Sequence, residues 1–223
     1  MAHAAPATDR VLHNYFRSSS AYRVRIALNL KGLPYDYVPV HLTRNGGEQF
    51  APAFRARNPH ALVPVLNDQG HEIHQSMAML EYLEEAYPEH PLLPSDLGDR
   101  AYVRQLAMLI ACEMHPINNL RVLKYLTGTL GLDEAAKTAW IHHWLGLGLA
   151  GLEAELSASP RRGQFCFGDT PTLADCCLVP QVFNAKRFAL DLTPYPTVTA
   201  IVDACEAVPA FQAAHPSRQP DAE

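Results

Sequence analysis

No apolar run in the chain approaches the roughly 18 residues that a membrane-spanning helix requires. Positive charge is not in excess either: 18 Lys and Arg stand against 23 Asp and Glu, and the formal charge is −5. The basic residues form no long run, and phosphate neutralisation needs a clustered basic face. Nucleic acid is therefore excluded as the expected partner. Cysteine is sparse. The five are odd in number, Cys176 and Cys177 are adjacent, and no Cys/His spacing suits a metal. Most of them fall in apolar helical patterns, as small hydrophobes do. The expectation is a soluble, reduced, cytoplasmic protein without a metal site. Repeats and low-complexity stretches are missing too, which excludes a repeat array.

What is present can bury a sizeable core, because 223 residues suit one large or two small domains. Residues 1–8 are rich in Ala and Pro but too short and too polar for a signal peptide. They are set aside as a flexible extension or tag remnant. Residues 11–16 then read as a short strand, and Val24, Ala27 and Leu28 fall at helical spacing. Between strand and helix stand Ser18, Ser19 and Ser20, which supply hydroxyls and unpaired N–H groups at a positive helix end. Such a turn can hold a small anion, with Arg17, Arg23 and Arg25 adding charge beside it. An ordinary N-cap with solvated arginines explains the same stretch equally well.

Lys31-Gly32 stops the helix, and residues 33–40 read as a second strand, which implies a parallel pair with a right-handed crossover. Residues 43–47 read as a loop and 48–57 as one short helix ending before Asn58-Pro59. Residues 61–67 form a short apolar strand with Pro64 near its entry, where no ladder donor is needed. Asp68-Gln69-Gly70 turns the chain into a hairpin. Gln75-Ser76 opens a helix with Met77, Leu80, Leu83 and Tyr87 inward and Glu81, Glu84 and Glu85 outward. The proline-rich residues 88–98 mark a boundary. Beyond it strand signals disappear. Val103, Leu106, Ala107 and Ile110 share one helical face, as do Ile141, Trp144, Leu145, Gly148 and Leu152. Thr172 to Asp175 has capping-box spacing at the start of a helix that contains Pro180. The fold class is α+β with two domains: a βαβ–ββα domain over 9–90, a linker over 91–98 and an all-helical domain over 99–223.

This architecture resembles the glutathione transferases, whose N-terminal domain has the thioredoxin fold. Where thioredoxins carry two cysteines at the first helix, this chain has three serines. More narrowly, Arg17-Ser18-Ser19-Ser20-Ala21-Tyr22-Arg23-Val24-Arg25-Ile26-Ala27 is similar to the zeta-class signature Ser-Ser-Cys-Ser-Trp-Arg-Val-Arg-Ile-Ala. Asn58-Pro59, Val63-Pro64, Gln75-Ser76, the stretch Asp175 to Gln181 and the stretch Asp191 to Pro196 match as well. The likeness runs from Arg10 to the end. The departure that matters is at Ser20, the family's cysteine, and at Tyr22, its tryptophan.

The resemblance implies glutathione as cofactor, a small dianionic substrate and a homodimer. Ser18 would hydrogen-bond the glutathione sulfur, which favours thiolate over thiol at a helix N-terminus; Ser19 and Ser20 are the alternatives. Val63, before an expected cis Pro64, would pair with the cysteinyl backbone of glutathione like an added strand. Gln75 and Ser76 would receive the γ-glutamyl carboxylate. Gln49 and His115 match positions that reach the glycine end, and Asn119 and Arg121 complete the implied binding set. Arg17 and Arg187 are the implied cations for the substrate, with Arg121 a third candidate. Lys186 and Arg23 are read as solvent-facing or structural charges. Zeta-class members include isomerases of maleylacetoacetate and maleylpyruvate. The implied chemistry is addition of the thiolate to the cis double bond, rotation about the resulting single bond and expulsion of the thiolate. A general transferase or dehalogenase and a non-catalytic glutathione-binding scaffold are the other readings.

Overall fold

The computed structural model describes residues 8–223; apart from Thr8, the expected N-terminal extension lies outside them. The chain forms two compact units. One holds the chain up to Pro91 together with Val208–Glu223, and the other holds Leu92–Ala207.

The first unit is built on a four-stranded sheet of β1 (Arg10–Asn14), β2 (Asp36–Pro39), β3 (Val65–Asp68) and β4 (His71–His74), in the order β2-β1-β3-β4. β1 and β2 are parallel, and β3 runs antiparallel to both β1 and β4. The crossover from β1 to β2 is helix α1 (Ser19–Leu30), closed by Gly32 at φ +66°, a left-handed conformation that glycine adopts without strain. The β3–β4 hairpin turns on Gln69 and Gly70, both at positive φ, which matches the twist of the flanking strands. The expected helix over 48–57 is divided. A 3₁₀ turn, Glu48–Phe50, is followed by α2 (Pro52–Arg57), because Ala51 precedes a proline and is driven out of the helical region to ψ 141°. α3 (Ser76–Ala86) follows β4. Its Glu84 faces inward rather than outward, since the buried Lys31 ammonium meets its carboxylate at 2.8 Å and also donates to the carbonyls of Tyr87 and His90.

The second unit contains α4 (Leu97–Met108), which continues through a π-helical turn, Leu109–Met114. There follow α5 (Leu120–Gly128), α6 (Glu134–Ala158), α7 (Leu173–Arg187) and α8 (Pro196–Glu206). The apolar faces read from the sequence are buried: Val103, Leu106, Ala107, Ile110, Ile141, Leu145 and Leu152 are each at most 2% exposed. The capping box of α7 forms: buried Asp175 accepts from the Thr172 N–H at 2.7 Å, its hydroxyl at 2.8 Å and the Cys166 N–H at 2.9 Å. Burial pushes the Asp175 carboxyl above its ordinary range despite these donors.

Two segments fall elsewhere than the 91–98 linker and 99–223 helical domain anticipate. Leu92 and Leu93 are buried, and the Leu173 N–H donates to the Leu92 carbonyl, so most of the linker is part of the second unit. The last helix, α9 (Pro209–Ala214), and the segment after it belong to the first unit. The reason is a set of polar groups on α1: Arg25 Nε donates to the Ala214 carbonyl at 3.1 Å, and the Asn29 amide donates to the Ala210 carbonyl at 3.0 Å. Among the described residues no helix is long and apolar enough to cross a membrane.

Candidate active site

Strand register gathers four loops of the first unit at one end of the sheet. Val65 is paired with His13 on one side and His74 on the other, and Asn14 with Pro39. The serine turn after β1, the loop after β2 that carries Gln49, the Val63-Pro64 entry to β3 and the Gln75-Ser76 exit from β4 therefore share that end. Arg17, Ser18, Ser19, Ser20, Gln49, Val63, Pro64, Gln75 and Ser76 are thus brought to one edge.

Ser18 is the N-cap of α1. It has extended backbone, and its Oγ accepts from the Ala21 N–H at 3.2 Å. That bond uses a lone pair and leaves the hydroxyl proton to donate elsewhere. Ser19 and Ser20 are the first two helical residues; Ser19 is buried and Ser20 half-buried. Arg17 is exposed, yet its guanidinium is oriented. It donates to the Tyr15 phenol oxygen at 2.9 Å and lies 4.8 Å from the centre of the Phe16 ring.

The Val63–Pro64 peptide is cis, as the resemblance implies. Gln75 holds φ +70° with ψ 117°, a conformation disfavoured for any residue with a Cβ, at the N-terminus of α3. Beside it the buried Ser76 hydroxyl accepts from Arg23 Nη1 at 3.2 Å. Arg23 is only 2% exposed, so it stands beneath the α3 N-terminus rather than in solvent. Gln49 is also buried. Its amide nitrogen reaches the Leu42 carbonyl at 3.4 Å, while its Oε1 has no hydrogen-bond partner. Gly47 lies directly against this amide, and a Cβ there would sit 2.7 Å from it, so the position admits only glycine without displacing Gln49. Arg25 is fully buried and bonds to Asn14 Oδ1 at 3.0 Å and the Phe16 carbonyl at 2.9 Å. Burial lowers its pKa, opposed by the nearby Tyr37, Tyr35, Tyr22 and Asp221. Neither Arg23 nor Arg25 flanks the turn as the free charge expected of it.

The remaining candidates belong to the second unit. His115 follows the π-helical turn and bonds through its N–H to the Ile110 carbonyl. Asn119 caps α5, its Oδ1 accepting from the Arg121 N–H at 3.0 Å and the Val122 N–H at 3.3 Å. Its NH2 is the part left for a ligand. Arg121 is exposed. Arg187 is exposed at the end of α7, its guanidinium 4.3 Å from the centre of the Phe188 ring, and Nε2 of His142 bonds to the Phe188 carbonyl at 2.7 Å. Lys186 pairs at 3.5 Å with Glu206 on the surface. Asn118 carries no distinguishing signal in the sequence, yet it is buried and neither atom of its amide has a partner.

The chain is similar to known proteins over most of its length. The model of the glutathione S-transferase N-terminal domain matches residues 12–91, and that of the C-terminal domain matches 147–213. A maleylpyruvate isomerase from a Ralstonia species is 51% identical over 210 residues, covering 94% of this chain and 98% of its own. A probable maleylacetoacetate isomerase from Vibrio cholerae is 49% identical over 212 residues, covering 95% and 98%. Among solved structures, the holo form of a bacterial zeta-class maleylpyruvate isomerase superposes with TM-score 0.93 at 50% identity, covering 96% of this chain and all of that one. A maleylacetoacetate isomerase from Anaeromyxobacter dehalogenans, crystallised with glutathione in its active site, gives 0.86 at 47% identity, covering 98% and 100%.

Proposed function

The chain belongs to the glutathione S-transferase family, and on that premise we propose that it is a glutathione-dependent cis–trans isomerase of a maleyl diketo acid, with maleylacetoacetate as substrate. The observation that carries the reading is the Ser18 N-cap. A hydroxyl with its proton available stands at a helix N-terminus in a unit that contains no cysteine. An active-site turn built this way suits a thiol that arrives from outside.

The residues at the sheet edge fit glutathione. The unpartnered Oε1 of buried Gln49 is an acceptor, and it suits the glycyl N–H of the tripeptide. The α3 N-terminus at Gln75 and Ser76, with Arg23 beneath, suits the γ-glutamyl carboxylate. Val63 beside the cis peptide offers its backbone to the cysteinyl residue. Ser19, Ser20, Pro64, His115, Asn119 and Arg121 complete the proposed binding set. When bound, glutathione supplies the nucleophilic thiol that adds reversibly to the cis double bond.

The chain's own part is electrostatic. Ser18 donates to the sulfur and, with the positive end of α1, favours its ionised form. Arg17, held by Tyr15 and Phe16, offers a fixed cation to a substrate carboxylate. Arg187 is assigned the second carboxylate, and both cations oppose the negative charge that develops on the substrate. Like the zeta-class enzymes it resembles, the protein is proposed to act in the cytoplasm as a homodimer.

Maleylpyruvate is the second reading, favoured by the 51% identity to an isomerase of that name. The two acids differ by one carbon, which a pocket discriminates weakly. An absorbance assay offering each acid, with and without glutathione, tests both readings. Isomerisation that requires glutathione is expected, faster with maleylacetoacetate. Glutathione binding without turnover of either acid would leave a conjugating transferase or a scaffold.

A further inference from the structure

The chain leaves the first unit at Pro91 and returns to it at Val208. Its last residues do more than cover α1. After α9, a 3₁₀ turn (Pro216–Arg218) and Gln219, whose amide donates to the carbonyls of Ala213 at 2.9 Å and His215 at 2.8 Å, fold the segment back on itself. This brings Asp221 to the turn between β1 and α1. One oxygen of Asp221 accepts from the Phe16 N–H at 3.2 Å, and the other accepts from the Tyr37 hydroxyl on β2.

The same peptide segment is held from its other side. Arg25 donates to the Phe16 carbonyl at 2.9 Å, and its Nε is itself anchored on the Ala214 carbonyl. The Ser18 N–H donates to the Tyr15 carbonyl at 3.0 Å. Phe16 is therefore gripped at both its N–H and its C=O, two residues before the Ser18 hydroxyl and one before Arg17. A buried N–H left without an acceptor is costly, so the chain at this point depends on the Asp221 carboxylate. Next to it, His41 Nδ1 accepts from the Arg44 N–H at 2.9 Å and the Thr43 N–H at 3.3 Å, which places the ring proton on Nε2, 3.2 Å from a Glu223 oxygen. Arg44 also pairs with Glu223. The returning segment thus ties down both the serine turn and the start of the loop that carries Gln49.

We propose that Asp221 is a positioning residue for the serine turn: through the Phe16 N–H it sets where Ser18 and Arg17 present their donors. It touches neither cofactor nor substrate. The inference rests on the isomerase reading given above. It extends the functional apparatus to a residue far from the turn in sequence and assigns to the segment after α9 a role in catalysis as well as in packing.

The test compares Asp221→Ala, Asp221→Asn and Tyr37→Phe in the full chain, each checked for folding by circular dichroism. Two quantities are read: turnover of the maleyl acid at saturating glutathione, and the pH midpoint for ionisation of bound glutathione, followed by thiolate absorbance. Asp221→Ala is expected to lower turnover roughly tenfold, within the range that a small misplacement of a reacting group produces, and to move the midpoint upward. Asp221→Asn keeps an oxygen for the Phe16 N–H and is expected to recover most of both. Tyr37→Phe, which loosens the carboxylate without touching the turn, is expected to shift both in the same direction by less. A folded Asp221→Ala protein with wild-type turnover and midpoint would overturn the proposal, and so would an equal loss in Asp221→Asn, which would make the effect one of charge. Should Asp221→Ala fail to fold, an unchanged midpoint and turnover in Tyr37→Phe overturns it instead. The isomerase reading fails separately, if the unmodified protein neither ionises bound glutathione nor turns over either acid.

Discussion

On the proposed reading Ser18 carries two tasks on one oxygen. Its lone pair caps α1 through the Ala21 N–H, and its proton is available to a ligand sulfur. The two tasks separate under substitution. Ser18→Ala removes both, so turnover is expected to fall by more than about tenfold, roughly 1.4 kcal/mol in the barrier. Thermal stability should fall too, by the ~1 kcal/mol typical of a lost N-cap. Glutathione affinity should change little, because in the proposed site Gln49, Val63, Gln75 and Ser76 hold the rest of the molecule. Ser18→Thr keeps cap and donor and should retain both stability and turnover. Assay, melting curve and glutathione titration on the two variants check this; wild-type turnover in a folded Ser18→Ala protein would transfer the donor role to Ser19 or Ser20.

Helix ends carry much of the local order, and the partners are not always nearby in sequence. α4, α5 and α6 are capped by the adjacent Asp96, Asn119 and Asp133. α8 begins with Pro196 and has no such neighbour. Its N–H groups at Thr197 and Val198 are met instead by the two oxygens of Glu153 on α6, at 3.0 and 2.9 Å. Burial alone would raise the Glu153 pKa, but the Thr197 side chain, the two backbone donors and Arg162 outweigh it and hold the pKa below its ordinary value. A depressed carboxylate contributes stability above its unfolded pKa and loses it as pH falls through the folded one. Glu153→Gln should therefore lower stability at neutral pH by about 1 kcal/mol or less, given a cap's usual worth and the screening of a half-exposed group. The difference from wild type should shrink in acid. Denaturant melts of both proteins from neutral pH down through the carboxylate range test this, and a gap that widens in acid would contradict it.

At the scale of the molecule, the thiols are segregated. All five cysteines lie in the unit Leu92–Ala207, and only Cys112 is exposed. Burial and the neighbouring Asp175 push the Cys166 and Cys205 thiols far above their ordinary range, which makes them poor nucleophiles. Brief alkylation of the free protein is therefore expected to add one group, at Cys112, and to leave activity largely intact once the reagent is removed and fresh glutathione supplied. Intact mass together with the isomerase assay reads both results. Loss of activity without unfolding would mean that a protein thiol takes part in the reaction. Ser20→Cys should keep activity and make it sensitive to the same treatment, because a thiol in the first turn of α1 gains from the helix dipole.

Much of this was legible in the chain itself, wherever the deciding contacts span a few residues. The strand–serine–helix turn, the Gly32 stop, the Gln69-Gly70 hairpin and the Thr172–Asp175 capping box are each written within a single turn of backbone, and each formed where its residues stand. Apolar periodicity likewise marked the buried faces of α4 and α6. Ala51-Pro52 was a local signal too, but it lay inside a stretch read as one helix. Charged residues followed another rule. Arg25 and Glu84 read as surface charges, and Arg23 as a solvent-facing or structural one, because nothing within helical reach would satisfy them; Arg23 meets Ser76, Arg25 meets Ala214 and Glu84 meets Lys31, at separations that only the closed fold supplies. The convergence of four loops on one sheet edge, and the return of Asp221 to the Phe16 N–H, were decided at the same level. A buried charge is tolerated only where its partners already stand, and those positions belong to the tertiary structure.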